Sequence, residues 1–276
     1  MARYGMVINI NRCSGCYNCQ LACKDEHCGH DYPGYSAAQP ITGHFWMKIN
    51  EKERGQYPKV KVAFTPLTCQ HCKDAICVKS SQDGAVYRRK DGIVIIDPVK
   101  AKGKKEIVST CPYRVIYWNE EENLPQKCTL CAHLLDQGWK VPRCVELCPT
   151  EALVFGDLDD PKSEIAKLVA SGATEVLHPE YGMKENVTYI GLPRKFIAGT
   201  IAYEDTDQCA GGASVTLSSK GKDLKTKTDN FGDFEFEGLP DNTEYEVKIE
   251  AKGYKPKKLS AKTVTDTYLG VVKIAK

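Results

Sequence analysis

Thirteen of the chain's fourteen cysteines lie between Cys13 and Cys148, in tight blocks. The first block is Cys13-x2-Cys16-x2-Cys19-x3-Cys23, and the last is Cys128-x2-Cys131-x12-Cys144-x3-Cys148-Pro149. Between them stand Cys69-x2-Cys72-x4-Cys77 and a lone Cys111-Pro112. Thiols this closely spaced constrain the fold through whatever they bind. A disulfide scaffold is usually a short secreted chain with cysteine above roughly 8–10%. This chain has 276 residues and a lower cysteine density. Pairs two residues apart suit metal chelation better than the bridging of distant loops.

The first block has the spacing of the bacterial ferredoxin run. There three close thiolates wrap one 4Fe–4S cubane, and the fourth ligates the other cluster of a pair. The last block follows the same logic, with a long insertion before its third cysteine. Exchanging fourth ligands puts cluster 1 on Cys13, Cys16, Cys19 and Cys148, and cluster 2 on Cys23, Cys128, Cys131 and Cys144. Spacing alone also allows each run to close on itself. The middle block lacks a fourth cysteine, since the x3 position holds Ser81. Cys111 lacks its three companions, whose positions hold Ala101, Lys104 and Ile107. The two half-motifs complement each other as cluster 3 on Cys69, Cys72, Cys77 and Cys111. The pattern is a double-ferredoxin scaffold with one of four clusters lost.

The rival for paired cysteines is structural zinc in a closed S4 site. Zinc pairs account neither for the third cysteine in the Cys13, Cys16, Cys19 run nor for two separate Cys-Pro endings. Cys28 and Cys209 remain over and read as buried or unreactive thiols. His27, His30, His44, His71 and His133 sit near the motifs, but the cysteine count is complete without them. They read as surface groups or as supports behind the ligands, with His71 and His133 candidates to donate to cluster sulfur. Lys100-Ala-Lys-Gly-Lys-Lys105 stands where the lost motif would be. It reads as a solvated loop, with docking to an acidic surface as the sharper alternative.

A net charge of +2 gives no reason to expect nucleic acid or an anionic membrane as partner. No apolar run approaches the ~18 residues of a spanning helix. The opening residues read as a short strand without a signal core, so the expected location is the cytoplasm, or export as the passenger of a partner. No Gly-rich phosphate loop, nucleophile elbow or dinucleotide fingerprint occurs, and no catalytic residue is assigned.

The expected class is α+β: a double-ferredoxin-like domain over residues 1–155, a connecting segment with a short helix over 156–195, and a small all-β sandwich over 196–276. The helix rests on Ile165, Leu168 and Val169 at helical spacing, ended by Ser171-Gly172. In the last region Phe234/Phe236 and Tyr245/Val247/Ile249 alternate with polar residues. Turn signals at Asp229–Gly232, Leu239–Asn242 and Lys252-Gly253 separate about seven strands. Val215, Leu217 and Leu269 complete the expected core, and the sandwich is expected to fold by itself. Its type is prealbumin-like or collagen-adhesin B-like by resemblance.

The cysteine blocks, their order and the Cys-Pro endings resemble the iron–sulfur subunits that accompany molybdopterin enzymes of the dimethyl sulfoxide reductase family. The loss at Ser81, Ala101, Lys104 and Ile107 narrows the resemblance to the small subunits of pyrogallol–phloroglucinol transhydroxylase and resorcinol hydroxylase. Asp83–Tyr87, Asp91–Pro98, Lys100–Glu106, Thr110–Tyr113 and Tyr117–Asn123 carry it, together with the C-terminal sandwich. The resemblance implies a large partner subunit bearing a molybdenum bis-pterin cofactor and the aromatic substrate, and an external electron acceptor or donor. The implied role is electron transfer in hydroxylation or transhydroxylation of phenolic rings. Two other readings stand beside it: the electron-transfer subunit of a dissimilatory molybdenum reductase, and a scaffold whose clusters do little net electron transfer.

Overall fold

The computed structural model describes residues 2–276. The chain divides into two compact units. The first runs to Glu51 and resumes over Phe64–Leu192; the second comprises Lys52–Ala63 and Pro193–Lys276. Each is taken separately.

In the first unit the N-terminal strand Tyr4–Asn9 is the centre of a three-stranded sheet. Leu153–Asp157 pairs with it antiparallel on one edge, and Val187–Ile190 pairs parallel on the other. Met6, Val7 and Ile8 are fully buried there, which explains the apolar run of the first ten residues. Two short hairpins, Val86–Arg88 with Val94–Ile96 and Tyr117–Asn119 with Leu124–Gln126, carry much of the remaining regular structure. The helix Glu164–Ala170 forms where the spacing predicts it, capped by the Ser163 hydroxyl accepting from the Ala166 N–H. It packs on the sheet, with Ile165 fully buried. Residues 156–192 are thus part of the first unit, because Val187–Ile190 completes its sheet.

Five cysteines belong to the main apolar cluster of this unit: Cys19, Cys23, Cys69, Cys128 and Cys144. A second cluster joins Ala75, Ala85, Val86, Val94, Ile96, Ala101, Ile107, Ile116 and Leu124. Ala101 and Ile107, two positions of the absent cysteine motif, are therefore core side chains. Ser81 accepts from the Val86 N–H at 3.0 Å, and Lys104 pairs with Asp83.

The second unit is a sandwich of seven strands. Its three-stranded sheet has the order 233–239, 195–203, 267–274; its four-stranded sheet the order 222–227, 214–219, 244–250, 257–262. Val215, Leu217, Phe234, Phe236, Tyr245, Val247 and Ile249 are buried between them, and Leu269 is partly buried. The α+β class thus stands: a cysteine-rich unit of few helices, then an all-β sandwich.

Residues Lys52–Ala63 are the tip of a hairpin formed by Lys48–Gln56 and Lys59–Leu67, and they belong with the sandwich. Arg54 grips Asp266 in a fork, Nε to Oδ2 at 3.1 Å and Nη2 to Oδ1 at 2.7 Å. The two side chains are only 12% and 7% exposed. Burial pushes the Asp266 carboxyl up, but the Arg54 guanidinium more than reverses this and holds it below the usual range. Lys59 and Lys61 both pair with Glu235.

Candidate metal centres

The fold brings twelve cysteines into three sets of four. Cys13, Cys16, Cys19 and Cys148 line one hollow, together with Ile49, Pro66 and Leu153. Cys69, Cys72, Cys77 and Cys111 line another, with His71, Val94, Ile116 and Lys127. The third set is the most buried. Cys23, on the helix Asn18–His27, lies within electrostatic reach of Cys128 and Cys131, and Cys144 faces all three. The fourth cysteine of each outer run thus stands with the three leading thiols of the other. Among the described residues, no three His, Cys, Asp or Glu side chains converge on a point that would hold one metal ion.

Local backbone geometry explains how short loops wrap these spaces. The residue two places after a leading cysteine takes a left-handed conformation in three loops: Gly15 at φ 68°, His71 at φ 44° and Leu130 at φ 49°. The second residue after each Cys-Pro pair does the same, Arg114 at φ 55° and Glu151 at φ 50°. For residues other than glycine this conformation costs about 1–3 kcal/mol each, so the surroundings must enforce it. Gly15 is required for a second reason, because a Cβ there would meet the Phe64 ring at 2.5 Å. These turns aim backbone N–H groups at sulfur. Leu130 N–H donates to Cys128 Sγ at 3.3 Å, and Ala152 N–H to Cys148 Sγ at 3.3 Å. Gly15 serves Cys13 in the same way, and Val115 serves Cys111.

The surroundings disfavour free thiolates. Burial first, then the charge of Cys148, Cys13 and Cys16, pushes Cys19 up to about 12. Burial likewise lifts Cys77 to about 11 and Cys131 to about 12. Crowded buried thiols become stable as thiolates only when a bound cation offsets their charge.

The histidines divide by position. His71 is fully buried on the Cys69–Cys111 hollow, and its Nδ1 accepts the Val94 N–H at 3.0 Å. His27 is buried with Nε2 3.9 Å from Cys131 Sγ, and burial holds its pKa down at about 3. His133 stacks on Tyr32 at 3.6 Å and meets Glu26 at 3.0 Å. His44, also held neutral by burial, stacks on Tyr117, whereas His30 is exposed. Cys28 and Cys209 join no set. Cys28 is half-buried, and Cys209 is exposed on the sandwich rather than buried as a small apolar residue would be. Of the Lys100–Lys105 run, Lys104 pairs with Asp83 and Lys105 with Glu120 at 3.0 Å. Nothing in the spacing announces Lys127, which is buried beside the thiols of two sets.

Known proteins share the ferredoxin-like and sandwich regions. The 4Fe-4S dicluster domain family matches residues 60–158, and the carboxypeptidase regulatory-like domain family matches residues 197–274. The chain is 46% identical over 261 residues to the pyrogallol hydroxytransferase small subunit of Pelobacter acidigallici, covering 92% of each chain. It is 35% identical to a putative dimethyl sulfoxide reductase iron–sulfur subunit of Halobacterium salinarum, over 69% of this chain and 79% of that one. A tetrathionate reductase subunit of Salmonella typhimurium is 34% identical, over 71% of this chain and 75% of its own. With its ferredoxin-like thiol sets and its identity along nearly the full length, the chain belongs to the family of iron–sulfur electron-transfer subunits of dimethyl sulfoxide reductase-type molybdenum oxidoreductases.

Proposed function

We propose that the chain holds three 4Fe–4S clusters and is the non-catalytic small subunit of a molybdenum enzyme that hydroxylates or transhydroxylates phenolic rings. The gathering of twelve thiols into three sets of four carries this reading. In it Cys13, Cys16, Cys19 and Cys148 hold one cluster, and Cys23, Cys128, Cys131 and Cys144 a second. Cys69, Cys72, Cys77 and Cys111 hold the third. The all-thiol donor sets fit the group, as do the hollows they surround and the buried His71 Nε2, which has no partner among the described residues. Bound there, each cluster takes up or gives back one electron.

The chain's own residues set the conditions for that exchange. Backbone N–H groups donate to sulfur, and His27 and His71 remain neutral beside the thiols. Cys23 is within reach of Cys19's set, and Cys128 within reach of Cys69. The three sites therefore form a series with the Cys23 set in the middle. The large partner subunit bears the molybdenum bis-pterin cofactor and the substrate. The identity to a pyrogallol hydroxytransferase subunit supports a phenolic substrate. The proposed setting is the cytoplasm, or export alongside the partner; among the described residues no helix is long and apolar enough to cross a membrane.

Anaerobic purification with the large subunit tests this. About twelve irons per small subunit are expected, with turnover of pyrogallol- or resorcinol-type phenols. About sixteen would require a fourth site on other ligands, and about eight would remove the Cys69–Cys111 site. A structural role for the clusters is also favoured, because five of the cysteines lie within the apolar core. Transhydroxylation moves a hydroxyl between rings without net oxidation, whereas hydroxylation must deliver two electrons elsewhere. Dependence of turnover on an external acceptor separates a relay from a scaffold.

A further inference from the structure

Lys127 is 2% exposed, an unusual position for an ammonium. The strand Leu124–Gln126 delivers it into the core immediately before Cys128. Its Nζ donates to the Val94 carbonyl and to the Cys128 carbonyl, the latter at 2.9 Å. Among the described residues no carboxylate pairs with it. Carbonyl dipoles satisfy its hydrogens but leave its charge without a counter-ion, which is strongly unfavourable in an apolar interior.

The groups within reach that become anionic when they hold a bound cation are the thiols of two different sets. Lys127 lines the hollow of Cys69, Cys72, Cys77 and Cys111 and, among the described residues, is the only cationic side chain in that lining. Its charge also acts on Cys77, Cys111 and Cys128, opposing the effect of burial at each. The same strand residue steadies the neighbouring histidine. Val94 gives its carbonyl to Lys127 and its N–H to His71 Nδ1. With Nδ1 accepting, the neutral His71 ring carries its proton on Nε2, so it contributes a dipole and no net charge. By contrast, the lining of the Cys13, Cys16, Cys19 and Cys148 hollow contains no lysine or arginine.

We propose that Lys127 is a fixed counter-charge shared by the Cys69–Cys111 site and the Cys23–Cys144 site, raising the reduction potentials of both. The proposal rests on the reading that both sites hold 4Fe–4S clusters. Reduction there adds one electron and no proton, so the site becomes one unit more negative. A nearby cation in a medium of low dielectric constant stabilises that state relative to the oxidised one. Lys127 thus acts through charge as a positioning and tuning residue and takes no part in bond making. Its effect favours residence of an electron on the two sites that share Lys127 over the lysine-free site.

The test uses the intact complex with its large subunit, prepared anaerobically as wild type, Lys127→Gln and Lys127→Arg. Iron is counted first, and potentials are then read by electron paramagnetic resonance during redox titration. A wild type short of about twelve irons would overturn the cluster reading before any variant is considered. With iron complete, Lys127→Gln is expected to shift two of the three potentials downward and leave the third in place, while Lys127→Arg keeps all three near wild type. Iron lost from two sites in Lys127→Gln but kept in Lys127→Arg supports the same role, because both alter the shape of the side chain but only one removes the charge. Unchanged potentials in an iron-complete Lys127→Gln, an equal shift of all three, or iron loss in both variants would overturn the proposal.

Discussion

In the sandwich, Val215, Leu217, Val247 and Ile249 reach the core because strands alternate their side chains, and the core closes on itself. In the cysteine-bearing unit, Cys19, Cys23, Cys69, Cys128 and Cys144 occupy core positions mainly from loops and short helices. There the backbone is held in left-handed turns at His71, Arg114, Leu130, Cys131 and Glu151. One unit obtains its stability from regular hydrogen-bonded pairing. The other surrounds hollows with thiols, so its stability depends on what the thiols hold.

Iron chelation is the most severe test of that contrast. Anaerobic removal of iron is expected to abolish amide protection in Tyr4–Asn9 and Leu153–Asp157, while Ser214–Ser219 and Glu244–Glu250 keep theirs. Hydrogen exchange read by mass spectrometry checks this, and retained protection in both units would break the contrast. Next in size is Arg54→Ala. It leaves the Asp266 carboxylate buried with the Phe196 N–H at 3.1 Å, and should destabilise the second unit by about 3–5 kcal/mol. Because the folded Asp266 pKa is depressed, the contribution is present above the ordinary carboxylate value of about 3.9 and is lost as pH falls through the folded value. Denaturant titrations of wild type and variant should therefore converge in acid; a constant difference would show that charge is not the cause.

Within the sandwich core, Ile249→Val removes one methylene from a fully buried position and should cost about 0.5–1.5 kcal/mol without loss of iron. Visible absorbance of the complex would detect a cluster bleached by this change, which would mean that the two cores are not separate. The smallest effect is expected at Lys258→Ala. Its partner Glu246 lies 3.0 Å away, but both side chains are at least half exposed, and a change within about 1 kcal/mol is expected. A larger loss in thermal denaturation would mean that edge charges do more than keep the sheet from pairing with other chains.

The sequence makes the cysteine sets readable because ferredoxin spacing and the two complementary half-motifs leave few groupings. The structure then places Cys148 beside Cys13 and Cys19, and Cys111 beside Cys69 and Cys72. The strands with strict alternation are equally readable. Lys222–Lys227 and Lys257–Lys262 are less so, since they are edge strands rich in lysine with few buried positions. The hairpin tip Lys52–Ala63 gives no sign of its membership in the second unit. Its attachment depends on Arg54 and Lys61 meeting carboxylates more than 170 residues onward, and charge alone does not name a distant partner. The left-handed turns at His71 and Leu130 escape sequence reading as well, because ordinary side chains occupy conformations that usually favour glycine.

The placement of Cys148 beside the first three cysteines has a consequence for biosynthesis. As the chain emerges from the ribosome, Cys13, Cys16 and Cys19 appear early but lack their fourth neighbour until residue 148 has been made. Cys23 waits in the same way for Cys128, Cys131 and Cys144. Only Cys69, Cys72, Cys77 and Cys111 form a set that no later segment must complete. A nascent chain halted between residues 111 and 144 therefore presents one finished thiol set and two unfinished ones, so the Cys69–Cys111 set is the first to have all four of its thiols present.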